Sequence, residues 1–93
     1  MTGLHHVELW VPDLDRAQMS WGRLLTALGW QPYQDWERGR SWRLNGTYIV
    51  VERSPALTAT NHDRCRPGLN HLAPHAGDAN GFEVELVAAC GPR

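Results

Sequence analysis

With 93 residues, an apolar fraction of 42% and a formal net charge of −1, the chain has room for one small domain and no more. Its basic residues are all arginine and form no stripe, which excludes a nucleic-acid partner, whose phosphates call for clustered cations. No apolar run approaches the ~20 residues of a membrane span.

A domain of this size hides only roughly 60–65% of the surface its unfolded chain exposes, so a second copy is an expected partner and a homodimer the expected state. Five tryptophans are many for this length and suit a cleft or a subunit interface. The two cysteines, Cys65 and Cys90, do not make a metal-type pair. Two reduced thiols are expected, with one disulfide as the alternative. The first residues enter a strand pattern with no charged-then-apolar leader, so the expected compartment is the cytoplasm.

Residues Leu4 to Val11 alternate, with Val7, Leu9 and Val11 on one face and His6, Glu8 and Trp10 on the other. That period predicts a strand with one face on the core, ended by Pro12. Asp13 then suits a helix N-cap, with Asp15 in the first turn. Leu14, Ala17, Trp21, Leu24, Leu25 and Leu28 recur at helical spacing, and Gly29 stands where a terminating glycine belongs, so a helix is predicted over about 13–29 with Trp21 in the core. Trp30 to Trp36 reads as a strand, 37–40 as a turn, and Ser41 to Leu44 as the next strand. Asn45-Gly46 is a hairpin signal, and Thr47 to Arg53 forms the following strand. The first half is thus β-α-β-β-β. Residues 54–68 are polar, carry two prolines and read as a linker. Leu69 to His75 is predicted as a strand that weakly repeats the first, LNHLAPHA against LHHVELWV, aligning His71 with His6. Pro74 is awkward there, since it lacks a ladder donor. Residues 77–81 read as a turn, and Phe82 to Ala88 alternates as a last strand.

These motifs resemble the superfamily of glyoxalases, bleomycin-resistance proteins and extradiol dioxygenases (the vicinal oxygen chelate superfamily). The His-Val strand, VPDLDRA entering a helix and the Gly-Trp after it are similar to the first βαβββ module of that family. RPGLNHLAPHAG resembles the opening strand of the second module, and DANGFEVELVA its closing strand. The resemblance implies an α+β fold: residues 1–93 as one domain, 1–53 the first module, 54–68 the linker and 69–93 a partial second module. A helix and two strands, on the order of 30 residues, are missing between His75 and Asp78. The intact flanks favour a segment absent from this sequence over a true deletion.

The resemblance also implies a metal site. The matching ligand positions are His6, His71 and Glu85, with a fourth near Glu52, where glyoxalases carry a carboxylate. Strand parity agrees: His6, Glu52 and Glu85 each lie opposite an apolar row. Two imidazoles and a carboxylate leave open positions for Zn, Ni, Mn, Mg or Fe(II), and a fourth ligand moves the site toward Lewis-acid chemistry. Glu85 or Glu52 could serve as the base. His5 is expected on the helix side and becomes the alternative ligand if the register slips by one; His62 and His75 carry no assignment. Trp10, Trp36, Trp42 and Tyr48 either line a cleft or pack in a core or interface. The expected function is a divalent-metal-dependent enzyme of lyase or isomerase type acting on a small oxygen-containing substrate. A metal-free small-molecule or antibiotic binder, an extradiol dioxygenase and a module without catalysis are the alternatives.

Overall fold

The computed structural model describes residues 3–58, 65, 67–69, 71–74 and, for the backbone, 86–87. The chain divides into two compact units, one ending at Thr58 and the other beginning at Ala59.

The first unit runs β1 (His6–Trp10), α1 (Leu14–Ala27), β2 (Gln31–Trp36), β3 (Gly39–Leu44) and β4 (Thr47–Glu52). This is the expected β-α-β-β-β order. The four strands form one sheet in the order β1-β4-β3-β2, with β1 parallel to β4 and the other neighbours antiparallel. β2 is therefore an edge, which is where Pro32 can sit without breaking a ladder.

The ends of α1 follow from its sequence. Asp13 is extended (φ −134°, ψ 101°), and its Oδ1 accepts from the Arg16 amide at 3.1 Å. That satisfies one of the donors a helix start leaves open. At the other end Gly29 takes φ 94°, its amide donating to Thr26 O at 3.1 Å while the Trp30 amide donates to Leu25 O at 2.9 Å. This pair of bonds is a Schellman motif, and it requires the left-handed backbone that glycine adopts without strain.

The core lies between α1 and one face of the sheet. Rung pairs put Trp42, Ile49 and Leu9's partner Val51 on that face, and all three are buried. Leu25 of the helix is fully buried with them. Burying each such side chain stabilises the fold by about 2 kcal/mol. Gly22 lets the helix approach closely, because a Cβ there would stand only 3.4 Å from Trp42 Cζ2. Arg40 adds a polar tie, its Nε donating to Gln18 Oε1 at 3.0 Å and its Nη1 pairing with Asp35 at 3.2 Å. Trp21, expected in this core, is only half-buried.

Two turns shape the hairpins. Asn45 adopts φ 54° between the paired residues Leu44 and Thr47, as the Asn-Gly signal predicts. The β2–β3 turn is shorter than expected. Trp36 pairs with Gly39 and Asp35 with Arg40, so only Glu37 and Arg38 turn and β3 begins at Gly39 rather than Ser41. Trp36 covers Gly39 so tightly that a Cβ there would clash with the indole.

In the second unit β5 (His71–Leu72) pairs with β6 (Leu86–Val87), His71 opposite Val87 and Leu72 opposite Leu86. The predicted strand over Leu69 to His75 is thus cut to two residues among those described. Pro74, which cannot donate to a ladder, lies just beyond its end. This pair is antiparallel, whereas β1 and β4 are parallel, so the sequence repeat of His6 and His71 is not a repeat of strand pairing. Cys65 is disulfide-bonded, which corrects the expectation of two reduced thiols; the chain's other cysteine is Cys90.

Candidate functional site

The face of the sheet turned away from α1 is built by the alternation of β1 and β4. Register places His6 beside Tyr48, Glu8 beside Val50 and Trp10 beside Glu52. The β3 partners of those β4 residues are Arg43, Ser41 and Gly39. Neighbouring residues on one rung share a face, so these nine positions form one surface.

At one end of it the rings cluster. The imidazole of His6 stacks on Tyr48, centroids 4.8 Å apart and planes within 8°. His5 stands edge-on to both, 5.1 Å from His6 and 5.3 Å from Tyr48, and its Nδ1 lies 2.8 Å from His6 Nδ1. Tyr33 meets Tyr48 at 5.3 Å, and the Arg43 guanidinium lies 5.2 Å above the Tyr33 ring. His5 was expected on the helix side. Alternation governs residues inside a strand, and β1 begins at His6. His5 sits in a bend before it, anchored by the Tyr48 amide donating to its carbonyl at 3.2 Å, and its ring is turned toward His6.

The middle of the face is closed. Ser41 and Val50 are buried, and the Ser41 hydroxyl accepts from the Gln34 amide at 3.0 Å and donates to Gln34 Oε1 at 3.3 Å. A register shift between Pro32 and Asp35 lets both Tyr33 and Gln34 reach this side. At the far end the Trp10 indole donates to Glu8 Oε2 at 2.7 Å, and Trp36 lies over Gly39.

This geometry separates two of the expected ligands. His6 and Glu52 share a face but stand four rungs apart, about 13 Å along the strands. Donor atoms on one ion lie within about 4 Å of each other, since each bond is about 2 Å long. Side chains standing upright from the pleat do not close that gap. Glu52 therefore does not join His6 on one ion, which corrects the four-ligand expectation. The residue of β4 beside His6 is Tyr48. His71 is on β5 of the second unit and exposed. Glu85, like His62 and His75, lies outside the described residues. Among the described residues no group of three His, Cys, Asp or Glu is placed to hold a metal ion.

Of the expected aromatics, Trp10, Trp36 and Tyr48 are on this face, while Trp42 is core beneath the helix. Glu8 was overlooked as a candidate although it has the parity of His6 and is the nearer carboxylate, two rungs or about 7 Å along β1. Tyr33 had no signal, because the bulge that turns it to this side leaves no mark in the residue pattern. Elsewhere, a cleft of about 480 Å³ near the start of α1 is lined by Asp13, Asp15, Glu37, Arg38, Arg40 and Arg53. Its carboxylates and guanidiniums balance, so it offers no net field to a charged ligand. No helix among the described residues is long and apolar enough to cross a membrane.

Comparison with known proteins adds three findings. The family model described as the glyoxalase/bleomycin resistance protein/dioxygenase superfamily matches residues 5–92. The protein YqjT of Bacillus subtilis, itself uncharacterized, is 45% identical over 75 residues, which are 78% of this chain. The chain spans 58% of the length of that relative. A crystal structure from Bacillus halodurans, described as a putative glyoxalase, superposes with a TM-score of 0.69 at 27% identity, covering 92% of this chain and 95% of that one.

Proposed function

Because the chain belongs to the glyoxalase/bleomycin resistance protein/dioxygenase superfamily, we propose that it serves a divalent-metal-dependent enzyme of lyase or isomerase type acting on a small oxygen-containing substrate. The proposed protein ligands are His6, His71 and Glu85. Glu52 is left out on the register argument.

The observation that carries this reading is the state of His6. Its Nδ1 is engaged by His5, its ring is held by Tyr48, and its Nε2 makes no hydrogen bond among the described residues. An imidazole with one nitrogen tied and the other open is the form in which histidine ligates a metal. Two imidazoles and one carboxylate suit Zn, Ni, Mn, Mg or Fe(II), so the donor set fits the group without choosing the ion. Such an ion would supply a Lewis acid for a substrate oxygen.

The chain's own residues have separate tasks in this reading. Glu8 holds a carboxylate on the same face as His6, oriented by the Trp10 indole, and is the group proposed to take or return a proton. Arg43, above the Tyr33 ring, offers a cation for an anionic part of a substrate. The cytoplasm and a homodimer remain the proposed setting.

Metal analysis of protein purified without added metal tests the proposal. Stoichiometric metal that is lost in His6→Ala and Glu85→Ala supports it. No metal in the wild type, with unchanged stability in both variants, would sink it. That result would favour a metal-free small-molecule binder, the reading supported by the exposure of Trp10, Tyr33 and Trp36. A three-ligand set is also what an Fe(II) dioxygenase uses, and the identity of the bound metal separates that alternative.

A further inference from the structure

The metal reading leaves His5 without a task, yet its ring is turned out of the strand pattern and placed against His6. The two Nδ1 atoms are 2.8 Å apart, a hydrogen-bond distance, so one of them carries a proton and the other accepts it. The choice has a consequence. If His6 Nδ1 is the donor, its Nε2 carries a lone pair; if His5 Nδ1 is the donor, His6 Nε2 carries a hydrogen and cannot ligate.

Both histidine rings also touch Tyr48, which is half-buried and held by its own strand. The Tyr48 amide donates to the His5 carbonyl at 3.2 Å, and the Thr47 hydroxyl donates to the Leu4 carbonyl at 2.9 Å. β4 therefore fixes the backbone from which the His5 ring projects. The parallel stack against Tyr48 fixes the plane of the His6 ring, leaving only its tautomer to be decided by His5.

We propose that His5 is the positioning residue of His6: its Nδ1 accepts the Nδ1 proton of His6, with Tyr48 holding the ring plane, so that His6 presents an unprotonated Nε2. The inference rests on His6 acting as a ligand. It concerns how this chain prepares that ligand, and it adds no new metal donor.

Zn²⁺ titration of the full chain by calorimetry, alongside long-range ¹H–¹⁵N spectra of the metal-free protein, tests it. The wild type should show His6 as the Nδ1–H tautomer. His5→Ala should mix the tautomers and weaken Zn²⁺ binding by about 10–100-fold, the usual effect of losing such a support. His5→Asn, whose side-chain oxygen can accept the same proton, should restore part of the affinity. His6→Ala should abolish the stoichiometric binding. If His6→Ala abolishes it while His5→Ala binds within threefold of wild type with the tautomer unchanged, the positioning role is overturned and the ligand reading stands. If His6→Ala binds as the wild type does, the ligand reading fails and the inference with it. Should His5→Ala fail to fold, an Nε2–H tautomer of His6 in the wild type would overturn the proposal unaided.

Discussion

His6 and Tyr48 stand on one rung of the parallel β1–β4 pair with their rings stacked 4.8 Å apart. Neither residue is adjacent to the other in sequence, and only the crossover through α1 brings their strands side by side. The contact joins the candidate ligand to a rigid strand whose next three residues, Ile49 to Val51, are all buried.

Removing the Tyr48 ring should therefore be felt at His6. Tyr48→Ala is expected to lower stability by about 1.5 kcal/mol, from the lost stack and the half-buried ring. Tyr48→Phe keeps the ring and should stay within about 0.5 kcal/mol of wild type. Denaturant unfolding of both variants checks this; equal losses would show that the hydroxyl, not the stack, matters.

The rung separation of His6 and Glu52 makes a contrast that metal analysis reads directly. Glu52→Gln should leave metal content unchanged, while His6→Ala should remove it. Loss of metal in Glu52→Gln at unaltered stability would contradict the register.

Gly39 lies beneath the Trp36 indole, where a Cβ has no room. Gly39→Ala should cost about 1–3 kcal/mol, the range for overpacking, because the indole must leave its place on the sheet. A double variant, Gly39→Ala with Trp36→Ala, should lose less than the two single changes together. An additive result in thermal melts would mean that the two residues do not interact.

The disulfide at Cys65 predicts no free thiol in the denatured protein before reduction and two after it. Thiol titration with and without reductant checks this.

The order of elements in the first unit was legible in the residues, because the signals are local. Asp13 and Gly29 mark the two ends of α1 through backbone bonds to residues three to five positions away. Asn45 marks its hairpin in the same way, and strand parity told which side of β1 and β4 faces the helix. The family followed from the order of those motifs. Pairing across the chain was not legible. Whether Glu52 or Tyr48 stands beside His6 depends on how two strands separated by some forty residues slide against each other, and a shift by an even number of rungs leaves every side chain on its own face. The bulge that brings Tyr33 and Gln34 to one face, and the bend that turns His5 toward His6, are departures from periodicity, so a reading built on periodicity passes over them. Local chemistry named the elements and the candidate histidine, and long-range packing chose its neighbours.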